Sequence, residues 1–243
     1  MKNRKALLLI LPLAFTLGAC GSTENSMNID VNSFINGSSL QVDDFVKDFI
    51  YNTSVANAKL NSLASKDGYS FKIRAEHELV PDDNNESRYC NVVFSGLGDV
   101  NWATVDIVNK DDEVQQTYYA AYENSADKTY VNAGEGWFEA DTASLNLPYT
   151  IKEIKDMLVL SGQYLPYLTN EKVKKSRTIE IGRECIKYSY DRGDEGEFTL
   201  VVDRQTQLLI HLTNIAYTTT GAEKDVMKIT EFLEYAPTMP TYK

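Results

Sequence analysis

The sequence predicts an α+β protein, mainly antiparallel β, with about ten or eleven strands and two helical segments. Apolar residues recur at intervals of three and four in two places, between Val42 and Leu63 and between Ile151 and Leu160. From Tyr69 onward the prevailing period is two. The strand-like runs follow one another through short turns, whereas a parallel crossover needs a dozen or more residues, so neighbours pair as antiparallel hairpins.

The first element is an export signal. Lys2, Arg4 and Lys5 make a basic start, Ala6 to Phe15 is an apolar run interrupted only by Pro12, and Leu17-Gly18-Ala19-Cys20 is a small-residue processing site. The run is shorter than the roughly 20 apolar residues a spanning helix needs. A cysteine directly after small residues, with a leucine three before it, resembles the lipobox of bacterial lipoproteins, where the sulfur receives a diacylglyceryl group before cleavage. Residues 1–19 are then a lipoprotein signal peptide and Cys20 is the lipidated first residue. The alternative is an ordinary secretory signal with a chance cysteine at its end. Each buried methylene contributes roughly 0.8 kcal/mol, so two or three acyl chains together hold a protein on a bilayer where one binds marginally. The expected location is the cell membrane, lipid-anchored on its extracytoplasmic face.

Residues 20–39 are rich in Ser, Asn and Gly and read as a flexible tether. Residues 40–243 have the size of one domain with its own core. Three of the 24 basic residues leave with the signal, so the mature chain carries 21 against 35 acidic residues, a net −14. Nucleic acid and anionic headgroups are excluded as principal partners, because both are held largely by clustered Lys and Arg.

In the first helical segment Asp43 and Asp44 suit the start, and Lys66 with Gly68 the end. Asn52-Thr53-Ser54 is expected to weaken or break it midway. Tyr69, Phe71, Ile73 and Ala75 then share one side of a strand whose other side is Lys72, Arg74 and Glu76. Pro81 to Asn85 is a turn. Strands follow at Arg88 to Ser95, Val100 to Val108, Gln115 to Tyr122 and Lys128 to Asn132, and Gly134-Glu135-Gly136 turns the chain into Trp137-Phe138-Glu139. After Pro148 the second helix runs from Ile151 to Leu160, with Gly162 ending it. Strands resume at Lys172 to Ile181, Glu184 to Asp191, Glu197 to Asp203, Leu208 to Tyr217 and Asp225 to Tyr235. The run from Leu208 is apolar on both faces, which predicts a helix on one and core or cavity on the other.

Signs of catalysis are weak. Ser125-Ala126-Asp127-Lys128 fits S-x-x-K, but it falls in a hairpin connection and its companion motifs are absent. His77 and His211 are too few and too far apart for a recognisable metal motif and are expected to pack on sheet faces. The acidic clusters Asp82, Asp83 and Glu86, and Asp111, Asp112 and Glu113, lack the spacing of an EF-hand. No metal, cofactor or enzymatic activity is expected. With Cys20 acylated, Cys90 and Cys185 remain as an even pair outside the cytosol. They either bridge, if their strands lie close, or stay as two small buried thiols.

The order helix, meander, helical insertion, meander resembles the LolA-like lipoprotein family, of the LolA, RseB, LprG and LppX type. The residues carrying the likeness are Lys128 to Val131 leading to Gly136-Trp137-Phe138, and Gly182 to Tyr188 leading to Phe198 to Asp203. Arg204 to Leu208 continues it, and Lys228-Ile229-Thr230-Glu231-Phe232 closes it. The likeness covers about Val42 to Tyr235. It implies an incomplete, half-open β-barrel covered by the two helical segments, with a cavity for a lipid or other hydrophobic ligand. Phe71, Phe94, Trp102, Tyr188, Phe198 and Leu212 are the candidate cavity residues. Large aromatics on sheets also serve simply to fill cores. A protein-interaction module, an envelope sensor or assembly factor with a filled core and an unknown protein partner, is the alternative.

Overall fold

The computed structural model describes residues 45–83, 86–140, 150–159 and 173–242. The signal segment, Cys20, the 20–39 stretch, Asn84, Asn85, Pro148 and residues 160–172 lie outside them, so the expectations placed there are not addressed by the structure. Side chains are described from residue 53 onward.

Helix α1 spans Phe45–Ala64 without interruption at Asn52-Thr53-Ser54. Weak helix formers there are overridden because Ala56, Leu60 and Leu63 fall on one face and bury against the sheet, and tertiary packing outweighs propensity differences of a few tenths of a kcal/mol per residue. The helix ends where the sequence indicates. Gly68 takes φ +78° and its N–H donates to Leu63 O at 2.8 Å, closing the last turn.

Among the described residues eleven strands follow: β1 (Tyr69–Val80), β2 (Arg88–Leu97), β3 (Val100–Val108), β4 (Val114–Glu123), β5 (Lys128–Asn132), β6 (Phe138–Glu139), then β7 (Val173–Glu180), β8 (Arg183–Asp191), β9 (Gly196–Asp203), β10 (Leu209–Tyr217) and β11 (Ala222–Leu233). Helix α2 (Ile151–Leu158) stands between β6 and β7 in sequence. The strands form one sheet in the order β6-β5-β4-β3-β2-β1-β11-β10-β9-β8-β7, and every pairing is antiparallel. The sheet is open, with β6 and β7 as its edges. Two meanders are joined at the centre, where β1 pairs with β11. This is the α+β, mainly antiparallel architecture that the periodicity predicts, with a sheet that does not close.

Register sorts the side chains onto two faces. Phe71, Ile73 and Ala75 of β1 lie opposite Phe94, Val92 and Cys90 of β2, and Phe94 lies opposite Ala103 of β3. On the other half Met227, Leu212, Leu200 and Tyr188 follow one another across β11, β10, β9 and β8. These residues form the core cluster together with Leu60 and Leu63 of α1 and Ile151, Ile154, Met157 and Leu158 of α2. Helix α1 packs on β1 and β2, whereas α2 reaches from β3 and β4 on one half to β10 on the other. The helix-covered side is therefore the inner face.

Leu208, Leu209 and Ile210 are all fully buried, as the two-sided apolar run implies. A bulge between Leu209 and His211 inserts Ile210 and breaks simple alternation there. Beyond it β9 and β10 approach so closely that only glycine fits at residue 196. A Cβ on Gly196 would meet Ile215 O at 1.8 Å, and its φ is +126°.

Cys90 and Cys185 are free, buried thiols, and the bridge is not formed. Their strands β2 and β8 are separated in the sheet by β1, β11, β10 and β9. Burial pushes both thiols up to about 12, which keeps them protonated and unreactive at neutral pH.

Candidate functional site

The inner face beneath α2 is the candidate site. Helix α2 exists because its short sequence has a complete start signal. Glu153 N–H donates to Thr150 Oγ1 at 3.1 Å, and Thr150 N–H donates to Glu153 Oε2 at 2.7 Å, a reciprocal capping box. The T-x-x-E spacing was available in the sequence as a signal for this cap. Ile151, Ile154, Met157 and Leu158 fall on one stripe and are all buried. The polar side of the helix is tied to the β4–β5 turn, with Lys152 Nζ 3.0 Å from Asp127 Oδ1 and Lys155 Nζ donating to Asn124 Oδ1. The Lys152–Asp127 pair is exposed and screened by water, so the apolar stripe is what holds α2 in place. Burial lowers the pKa of the Lys155 ammonium from its ordinary value.

Five of the six candidate cavity residues, Phe71, Phe94, Tyr188, Phe198 and Leu212, lie on this inner face and belong to one packed cluster. Trp102 does not. It pairs with Ser95 of β2 and Ala121 of β4 in the row of the outer face, and it is outside the core cluster. Its own strand, Val100 to Val108, has apolar residues on both sides, so alternation alone misassigns it. The inner side there is Asn101, Ala103 and Val105, and Asn101 is accepted inside because its Nδ2 donates to Tyr69 Oη at 2.8 Å. Beyond the end of β11 the C-terminal stretch returns to the start of β1, where Ala236 N–H donates to Asp67 O, and it reaches Tyr130, which continues the outer row of Trp102 and Ala121. There the Tyr242 ring lies 5.3 Å from that of Tyr130, and the Tyr242 hydroxyl donates to Glu123 Oε1 at 2.9 Å.

The six candidates are between 0% and 6% exposed. Pockets at the described surface include one of about 290 Å³ near Leu79, Pro81 and Thr218 and another of about 150 Å³ near Asn57, Tyr69 and Lys155. Neither is lined by any of the six. Burial pushes the Tyr69 hydroxyl up to about 12 beside the second pocket.

Tyr118 pairs with Val105 in the inner row and is 3% exposed, and among the described residues its hydroxyl has no hydrogen-bond partner. A buried unpaired donor costs about 1–3 kcal/mol. Tyr118→Phe is therefore expected to leave stability unchanged or raise it by up to about 1 kcal/mol, read from urea unfolding midpoints. A clear loss would show that the hydroxyl has a partner.

The remaining sequence candidates are dispersed. Ser125 lies in the β4–β5 turn with its hydroxyl bound to Asp99, and Lys128 Nζ lies 2.8 Å from Glu139 Oε2, so each member of the S-x-x-K is engaged with a different carboxylate. His77 and His211 both sit on strands, as expected, but in different settings. His77 Nδ1 is 2.9 Å from Asp225 Oδ1 across the β1–β11 seam. His211 is on β10, its Nε2 3.1 Å from Thr213 Oγ1, and burial holds its pKa below the usual histidine value. A depressed folded-state pKa means that neutral His211 contributes stability above its unfolded value of about 6.5, and that this is lost as pH falls through the folded pKa. Between about pH 7 and 5 the unfolding midpoint should therefore fall more in the natural protein than in His211→Gln. Equal falls would remove His211 from the acid response.

No family model and no curated protein matches the chain. Among solved structures it is similar to MucB in the complex of Pseudomonas aeruginosa MucA/MucB, at 14% identity and a TM-score of 0.40, over 77% of this chain and 59% of the other. It is also similar to the Mycobacterium tuberculosis lipoprotein LppX, at 12% identity and 0.39, over 76% and 94%. A LolA superfamily protein from Nitrosomonas europaea is a third, at 9% identity and 0.32, over 78% and 94%. The chain spans about three fifths of the length of the MucB structures.

Proposed function

We propose that the chain is a lipoprotein anchored through Cys20 on the extracytoplasmic face of the cell membrane. Its domain binds a lipid or other hydrophobic ligand between the inner face of the sheet and its helices, without catalysing a reaction. The anchor reading is supported by the basic start, apolar run and lipobox at residues 1–20. Among the described residues no helix is long and apolar enough to cross a membrane.

The observation that carries the ligand reading is an aromatic and aliphatic sheet face whose cover, where α2 lies on it, is an eight-residue helix. Lifting α2 exposes Ile151, Ile154, Met157 and Leu158. At about 1.5–3 kcal/mol per side chain this costs on the order of 6–12 kcal/mol. An acyl chain recovers roughly 0.8 kcal/mol per buried methylene, so about 8–15 methylenes offset the displacement. Binding then has a length threshold. Fatty acids of about 16 carbons are expected to displace a fluorescent apolar probe from the full-length protein, and those of about 6 carbons are not. Equal displacement by short and long chains, or none by either, overturns the reading.

A second reading is favoured by the burial of the five candidate residues on the inner face, Phe71, Phe94, Tyr188, Phe198 and Leu212, which describes a filled interior. On it the domain is a protein-interaction module using its outer face, where Val93 and Tyr119 are 39% and 45% exposed on either side of Thr104. It predicts no uptake of any lipid and a protein cross-linked in cells at this row.

A further inference from the structure

The sheet places a donor set at the β1–β11 seam that no pattern in the sequence reveals. His77 and Asp225 are direct cross-strand partners, and Glu223 lies two residues from Asp225 on the same face of β11. His77 Nδ1 is 2.9 Å from Asp225 Oδ1 and 3.8 Å from Glu223 Oε1, and the three ligand atoms all lie within 4.8 Å of one another. We infer that His77, Glu223 and Asp225 form a binding site for a divalent transition cation, of which Zn²⁺ is the type.

The chemistry of the donors selects the ion class. One imidazole nitrogen with two carboxylates suits Zn²⁺ and its first-row neighbours, whereas Ca²⁺ and Mg²⁺ take all-oxygen sets. Zinc bonds of about 2.0–2.2 Å place neighbouring donors within about 3.5 Å of each other. The present separations need only a small closing of the Glu223 side chain, which is the most exposed of the three.

Two carboxylates, Glu223 and Asp225, face the His77 imidazole. Lys224, between them in sequence, lies on the opposite face and approaches Glu76 and Glu78 instead. Arg88, next to His77 by register, donates to Glu86 O. Among the described residues neither Glu223 nor Asp225 has a Lys or Arg ion pair. A dication supplies the positive charge that no Lys or Arg brings to this pair of carboxylates.

The site also has an outer shell. Asn214 Nδ2 donates to Asp225 Oδ2 at 3.5 Å, and Asn214 Oδ1 accepts from Arg192 Nη2 at 2.9 Å. This leaves Asp225 Oδ1 directed at His77, the way metal-binding carboxylates are oriented by a second layer. Three protein ligands leave at least one position open. Glu223 also lines the 290 Å³ pocket with Asp82 and Thr218, so the open position borders solvent and a place for a small oxygen ligand.

The test uses the two histidines as reporters, since the chain has no others. Full-length protein in detergent is stripped with chelator, and its imidazole ¹⁵N resonances are followed as Zn²⁺ is added. The expected result is a shift of the His77 ring saturating at one equivalent, with His211 unmoved. Glu223→Gln, a conservative change at a half-exposed position, is expected to weaken binding by more than about tenfold, and Asn214→Ala by about tenfold. Asp112→Asn, a remote surface acid, is expected to change nothing. No shift of His77, or Zn²⁺ binding unaltered in Glu223→Gln, overturns the site and leaves His77–Asp225 as a strap between two strands.

Discussion

Phe71→Ala is expected to lower the free energy of unfolding by about 3–5 kcal/mol. Phe71 is 0% exposed and sits on β1, the strand that joins the two meanders, with β2 on one side and β11 on the other. Its ring stacks on Phe232 of β11 with centroids 4.6 Å apart, and on Phe94 of β2 at 6.5 Å. Truncation removes those contacts and leaves a cavity that flanking strands, fixed by their ladders, fill only in part. Domains of this kind have about 5–15 kcal/mol in total, so the variant stands near the edge of folding. Phe138→Ala is the control, because Phe138 is 53% exposed on an edge strand and its loss should cost no more than about 0.5 kcal/mol. Urea unfolding of both variants measures the difference. A cost below about 1 kcal/mol for Phe71→Ala contradicts a core organised at the β1 seam.

Asp203→Ala is expected to cost about 3 kcal/mol, for a different reason. The Asp203 carboxylate is almost wholly buried and lies 3.0 Å from Arg183 Nη2. It also accepts from Thr206 N–H at 3.1 Å, from the Thr206 hydroxyl, and from Gln205 N–H at 3.4 Å. One acid thus ties the β9–β10 turn to β8. Removing it strands the Arg183 guanidinium, whose Nε has no hydrogen-bond partner among the described residues. Arg183 keeps about a quarter of its exposure, so water offsets part of the loss and the cost falls at the low end of the range for broken buried pairs. Coupling is the diagnostic. Adding Arg183→Met to Asp203→Ala should recover part of the stability, since the unpaired charge is gone. Additive losses in the double variant would show that the pair is not a unit.

Much of this fold is legible in the sequence, for physical reasons that differ by element. The strands Val100 to Val108 and Lys128 to Asn132 coincide with β3 and β5, because turns on both sides fix their limits chemically. The helix at Ile151 is found because its four buried residues are the ones spaced for a stripe. What escapes is long-range pairing. His77 meets Asp225 across 148 positions, and nothing local to either residue announces the other. Trp102 escapes for the opposite reason: its strand offers apolar residues to both faces, so the choice is made by Tyr69 accepting Asn101 inside. The unbroken α1 shows burial overriding weak local preference at Thr53 and Ser54.

The inner face is a site only if its cover yields. Native mass spectrometry of the full-length protein, released from detergent after purification from a lipid-containing host, asks this directly. The account predicts a population carrying one additional mass in the lipid range, beyond that of any acyl groups covalently attached at Cys20, and lost on collisional activation. A single unliganded mass that also fails to take up added long-chain phospholipid would contradict it and leave the packed interior as the protein's working state.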